Sequence, residues 1–114
     1  MSSLISRLTA TIANGASLSD ALTLNGGKVV VIEMPAAWTA AVLTFQSSMD
    51  GTNYFNVYHD DGTEVYIIVD ITRRVHVDIE ALSQQKYIKL RSGTSSTVVA
   101  QGAARTIYVE VWNA

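Results

Sequence analysis

Five turn signals punctuate this chain: Asn14-Gly15, Asn25-Gly26-Gly27, Asp50-Gly51, Asp60-Asp61-Gly62 and Ser92-Gly93. Glycine, Asn and Asp supply the positive φ that tight reversals need. The runs between them are rich in Val, Ile, Thr and Tyr. Short strands separated by regular turns predict an all-β fold, a two-sheet antiparallel β-sandwich of jelly-roll type with eight or nine strands. A length of 114 residues suits one domain. Residues 17–114 are expected to form the sandwich and residues 1–16 an N-terminal strand or an arm ordered against a neighbour.

The strand periods differ along the chain. Val75, Val77 and Ile79 alternate with Arg74, His76, Asp78 and Glu80, and Ile107, Val109 and Val111 alternate with Thr106, Tyr108, Glu110 and Trp112. A period of two places one face on the core and the other toward water or a partner. Lys28–Met34 and Thr63–Val69 lack that alternation and are expected to be central strands covered on both faces. Ser17–Leu22 fits either a helical turn capped by Ser17 or a strand. Pro35–Trp38 is expected to form a loop, followed by a strand from Thr39 to Gln46 with Ala41, Leu43 and Phe45 on the core. Asp78–Gln85 has room for one helical turn.

Composition narrows the function. Charged residues make up 16% of the chain, against about 25% in an average globular protein, so part of the surface is expected to be covered by other molecules. Eight basic and ten acidic residues leave no basic surplus for nucleic acid. No apolar run is long enough to span a membrane, and the first residues lack a secretory layout, so synthesis in a host cytoplasm without export is expected. With no cysteine there is neither a disulfide nor a thiolate site. The two histidines, His59 and His76, match no zinc or triad spacing, and no serine sits in a nucleophile elbow. A non-enzymatic protein is expected, without cofactor. Calcium at the turn carboxylates Asp50, Asp60, Asp61 and Asp70 is the weaker reading beside simple turn chemistry.

The segment Leu43–Tyr58, with Phe45, Ser48, Asp50-Gly51, Tyr54 and Val57, resembles the strand–turn–strand of discoidin-like (galactose-binding-like) jelly rolls, as does Lys86–Arg91. More widely, Met34–Ala41, the Ser48-Met49-Asp50-Gly51 turn, Leu90–Thr94 and Gln101–Arg105 resemble small virion structural proteins of tailed bacteriophages and prophages. That second resemblance implies a virion component: a head decoration or capsid-stabilising protein, or an accessory tail or fibre part. It implies self-association and binding to a capsid or tail protein, with a trimer suiting a capsid threefold. The first resemblance implies the alternative, a carbohydrate-binding module for host or glycan attachment.

Tyr and Trp join an apolar body to a polar tip, which suits interfaces. The candidate interface or ligand residues are Trp38, Asn53, Tyr54, Arg91, Tyr108 and Trp112. Of these, Trp38, Asn53, Tyr54 and Arg91 are the loop set that a glycan would use. Trp38 reads as core or subunit contact before sugar stacking. An ordinary interface would bury about 800 Å² per partner.

Overall fold

The computed structural model describes residues 4–113, so residues 1–3 of the N-terminal segment lie outside the described residues. Eight strands form: β1 Ile5–Ile12, β2 Leu22–Thr23, β3 Lys28–Glu33, β4 Leu43–Ser48, β5 Phe55–Asn56, β6 Arg74–His76, β7 Tyr87–Ser92 and β8 Arg105–Trp112. They make two antiparallel sheets in the orders β1-β8-β3-β6 and β2-β7-β4-β5. The pairs β1·β8, β2·β7, β3·β6 and β4·β5 are nested one inside the next. The chain is therefore a long antiparallel hairpin rolled into a sandwich, which is jelly-roll topology. Each of the five expected turns holds one left-handed glycine: Gly15, Gly26, Gly51, Gly62 and Gly93 have φ of 80°, 85°, 77°, 91° and 92°, whereas Gly27 is not left-handed.

Residues 5–12, expected as strand or arm, are a full strand of the sandwich. All eight pair with β8, from Ile5 opposite Trp112 to Ile12 opposite Arg105. The alternating strands behave as read: Ile107, Val109 and Val111 are buried, Val77 is buried, and Val75 and Ile79 pack against the same core. Facing them across the sandwich are Leu43, Phe45, Ile88 and Leu90, all completely buried. The expected helical turn is present as a single 3-10 turn at Glu80–Leu82.

Four expectations change. Lys28–Met34 is not covered on both faces. A bulge between Val29 and Val31 shifts the pairing with β8, so Val29, Ile32 and Met34 point inward and the simple period is lost. The Val30 carbonyl, displaced by the bulge, accepts from the Val77 N–H. Thr63–Val69 is not a strand. It makes single bridges, Tyr58 to Glu64 and Leu43 to Ile67, with Val65 and Ile67 inward and Tyr66 and Ile68 exposed. The strand expected from Thr39 begins only at Leu43. The buried Gln101 side chain takes the Thr39 N–H (2.8 Å) and donates to the Thr39 carbonyl (3.0 Å), replacing a neighbouring strand. Ala41 is only partly buried there. Ser17–Leu22 is neither a helix nor a continuous strand. It makes bridges at Leu18 and Ser19 before β2 begins at Leu22.

Phe45 is the largest fully buried side chain. Replacing it by Ala removes a ring at the centre of the inter-sheet contact. Phe45→Ala is expected to lower unfolding stability by about 3–5 kcal/mol, measured by urea denaturation followed by far-UV circular dichroism.

Candidate functional site

Each sheet turns one face outward, and the candidate residues divide between the two faces. On the β2-β7-β4-β5 sheet, alternation along β7 turns Lys89 and Arg91 outward while Ile88 and Leu90 fill the core. Arg91, expected as a loop contact, is instead a strand residue only 5% exposed. Its guanidinium donates to Glu64 Oε2 (3.4 Å), Thr44 Oγ1 (3.3 Å) and Asn56 Oδ1. Glu64 also accepts from the Ser95 N–H at 3.2 Å. The charge of Arg91 is thus consumed in tying β7 to β4, β5 and the 94–97 turn. It is not offered to a ligand. A buried guanidinium keeps its place only when paired and hydrogen-bonded, and this one is.

Tyr54 lies on the same outward side, with Lys89 Nζ 4.4 Å from its ring centroid. Burial, then the neighbouring Tyr87 and Asp50, push its phenol above the ordinary tyrosine range. Asn53 serves the turn: its amide donates to Asp50 Oδ2 at 2.7 Å. Asp50 Oδ1 accepts from the Asn53 and Thr52 N–H groups and the Ser48 hydroxyl. Those bonds, led by the one from the Asn53 backbone, hold the Asp50 carboxyl well below the ordinary value of 3.8. Asp61 is lowered in the same way by the Thr63 hydroxyl and N–H, and Asp70 accepts from the Ile71 N–H. The turn carboxylates considered for calcium therefore serve their own turns, apart from Asp60, for which no such bond is found. Among the described residues no three His, Asp or Glu side chains stand close enough to share an ion.

On the β1-β8-β3-β6 sheet the outward face carries a charge lattice with one member from each strand. Arg7 of β1 bonds Glu33 of β3 (2.8 Å) and Glu110 of β8 (3.2 Å). Arg74 of β6 bonds Glu33 (2.7 Å) and grips Glu110 through both of its oxygens. Arg74 is held protonated by Glu110 first and Glu33 second, and Glu110 is held ionised chiefly by Arg74. The arginines are about half exposed, so water screens each pair and its contribution to stability is small. Tyr108 sits within this lattice, with the Arg7 guanidinium 4.5 Å from its ring centroid. Trp112 shares the face, is 41% exposed and stands opposite Ile5 and Lys28.

The structure thus brings Tyr54 and Arg91 to one sheet and Tyr108 and Trp112 to the other. Trp38 belongs to neither. It packs against the core from the loop before β4, and its indole N–H donates to the Ala41 carbonyl at 3.2 Å. Sequence reading missed Glu64, Asn56 and Thr44 around Arg91. Their only signal was that Thr44 and Asn56 alternate with the core residues Phe45 and Val57.

Three surface hollows of about 280, 350 and 410 Å³ are present. Ser83 lines the first beside Trp112, Lys28 and Glu80, and His59 lines the second. None of these three hollows joins a serine to a histidine. Every buried side-chain polar atom among the described residues has a partner. The exposed large apolar side chains include Phe55, Tyr58, Tyr66 and Ile68, the last 70% exposed. No helix among the described residues is long and apolar enough to cross a membrane.

No protein-family model and no curated protein matches the chain. Among solved structures it is similar to the Yersinia pseudotuberculosis-derived mitogen, at 12% identity and a TM-score of 0.42, over 96% of this chain and 86% of that one.

Two outcomes follow. Arg91→Ala strands the Glu64 carboxylate and is expected to cost about 3 kcal/mol in urea denaturation, with Arg91→Lys recovering part of the loss. The depressed carboxyl of Asp50 contributes stability that is complete above its unfolded value of 3.8. This contribution is lost as pH falls through the folded value. Asp50→Asn should therefore flatten the fall of stability below about pH 4, read from thermal melts at successive pH values.

Proposed function

We propose that this chain is a non-enzymatic structural protein of a bacteriophage particle, a decoration or accessory component that works by binding copies of itself and a shell or tail protein. The observation that carries the assembly role is the outward apolar row at the edge of the β2-β7-β4-β5 sheet. Tyr66 and Ile68 stand exposed on the outward side, as does Tyr58, which bridges to Glu64. They project from backbone anchored through Val65 and Ile67 in the core. Rigid, exposed apolar surface of this kind favours burial against another protein. The bonded Arg91 cluster beneath it supplies stiffness without presenting a loose charge.

The phage context is supplied by the sequence resemblance, which spans most of residues 17–110. The carbohydrate alternative is less well supported by the geometry. Of its four residues, Arg91 is buried, Trp38 packs on the core and Asn53 is spent on its own turn, so only Tyr54 remains, and Lys89 already lies 4.4 Å from its ring centroid.

Two measurements test the reading. Light scattering on the purified protein should give a mass above that of one chain, with no binding on a glycan array. Immunogold labelling should decorate particles released on induction of the phage that encodes it. A monomer at high concentration that binds glycans, or unlabelled particles, overturns the proposal.

A further inference from the structure

The four outer edges of the two sheets are unequal. Strands β2 and β5 have two residues each and β6 has three, whereas β1 has eight. Short edge strands are one means by which sandwiches avoid pairing with other chains. Strand β1 lacks that protection. The Asn113 N–H donates to the Leu4 carbonyl, which fixes the parity of the β1·β8 ladder. Ser6, Leu8, Ala10 and Ile12 thus turn their main-chain groups to β8, and Arg7, Thr9 and Thr11 turn theirs away. Asp20 covers Thr11: its Oδ1 accepts from the Thr11 N–H and its own N–H donates to the Thr11 carbonyl. The main-chain donors and acceptors of Arg7 and Thr9 face outward, uncovered by any of the described residues. The first half of β1 also projects past the core, with Leu4, Ile5, Ser6, Arg7 and Thr9 all exposed.

We propose that two copies of the chain join edge to edge through β1, antiparallel, with Leu8 on the two-fold axis, so that two four-stranded sheets become one sheet of eight strands. This deepens the self-association part of the proposed function and rests on it. Self-pairing of a strand in antiparallel sense requires a dyad, so the unit is a dimer in place of the trimer expected from a capsid threefold.

The occupant is a second copy because β1 is complementary to itself in this register. On the inner side Leu8 meets the partner's Leu8 and Ser6 meets the partner's Ala10. On the outer side Arg7 meets the partner's Thr9, and beyond it the edge is already taken by Asp20 at Thr11 and by Ser19 at Ile12. No charge opposes a like charge across the junction. Arg7 needs no new counterion, since Glu33 and Glu110 already hold it and Tyr108 lies under it. Arg7 and Thr9 of each copy exchange hydrogen bonds with Thr9 and Arg7 of the other, and the Asp20 cap at Thr11 ends the ladder on both sides.

The chain has no cysteine, which makes a clean test available. Opposed residues in a non-hydrogen-bonded antiparallel pair have Cα atoms about 4.5 Å apart, within disulfide reach. Leu8→Cys should form a covalent dimer on mild oxidation, visible on non-reducing gels and lost with reductant. Thr9→Pro removes only an outward N–H, so its circular dichroism and melting profile should match wild type while light scattering reports loss of the dimer. If wild type is a monomer, self-association itself fails. If wild type is oligomeric, yet Leu8→Cys does not crosslink and folded Thr9→Pro keeps the wild-type mass, this edge is refuted and self-association through another surface stands. Should Thr9→Pro fail to fold, the Leu8→Cys crosslink alone decides.

Discussion

The pairing of β1 with β8 is the constraint on which the rest of the structure depends. Arg7 and Glu110 bond across 103 positions of sequence, and the ladder beneath them runs unbroken from Ile5 to Ile12. Strand β8 is central, with β1 on one side and β3 on the other. It carries Ile107, Val109 and Val111 into the core and Tyr108, Glu110 and Trp112 to the outer face. One alternating segment therefore closes the sheet, supplies part of the apolar interior and anchors the outer charge lattice. Remove its pairing with β1 and the overhanging half of β1 has nothing to hold it.

The two outer faces handle charge differently. Around Arg91 the guanidinium is buried, so the geometry of Glu64, Asn56 and Thr44 must satisfy it fully or the fold suffers. Around Arg7, Glu33, Arg74 and Glu110 water shares the work, and the individual bonds are weak. The second arrangement is nonetheless net neutral and spans all four strands. This leaves a flat surface on which neither sign of charge dominates, in keeping with a chain that carries few charged residues.

Much of the fold was legible because its signals were local. Five glycines at positive φ marked reversals, and the Ile107–Val111 and Val75–Ile79 alternations marked which side faced inward. What stayed hidden depended on partners distant in sequence. The bulge at Val30 looks like an unbroken apolar run until β8 and β6 are both in place. The shortened β4 follows from Gln101 reaching 62 positions back to Thr39, which no local pattern announces. The candidate site was read less well for the same reason. Arg91 looked like a loop cation because its three partners lie 27 to 47 positions away. That Tyr108 and Trp112 share an outward face followed from parity alone.

The nested order of strand pairs also has a temporal side. The innermost pair, β4 with β5, is close in sequence, and each wider pair must wait for more chain. The last of them needs β8, which is made after the other seven strands. A central strand that arrives last of the eight means the sandwich cannot close until that strand is made, since long-range closure is slow and must await both partners. Until then the apolar sides of β3 and β7 lack their cover, and quality control in the cell has its longest opportunity to act.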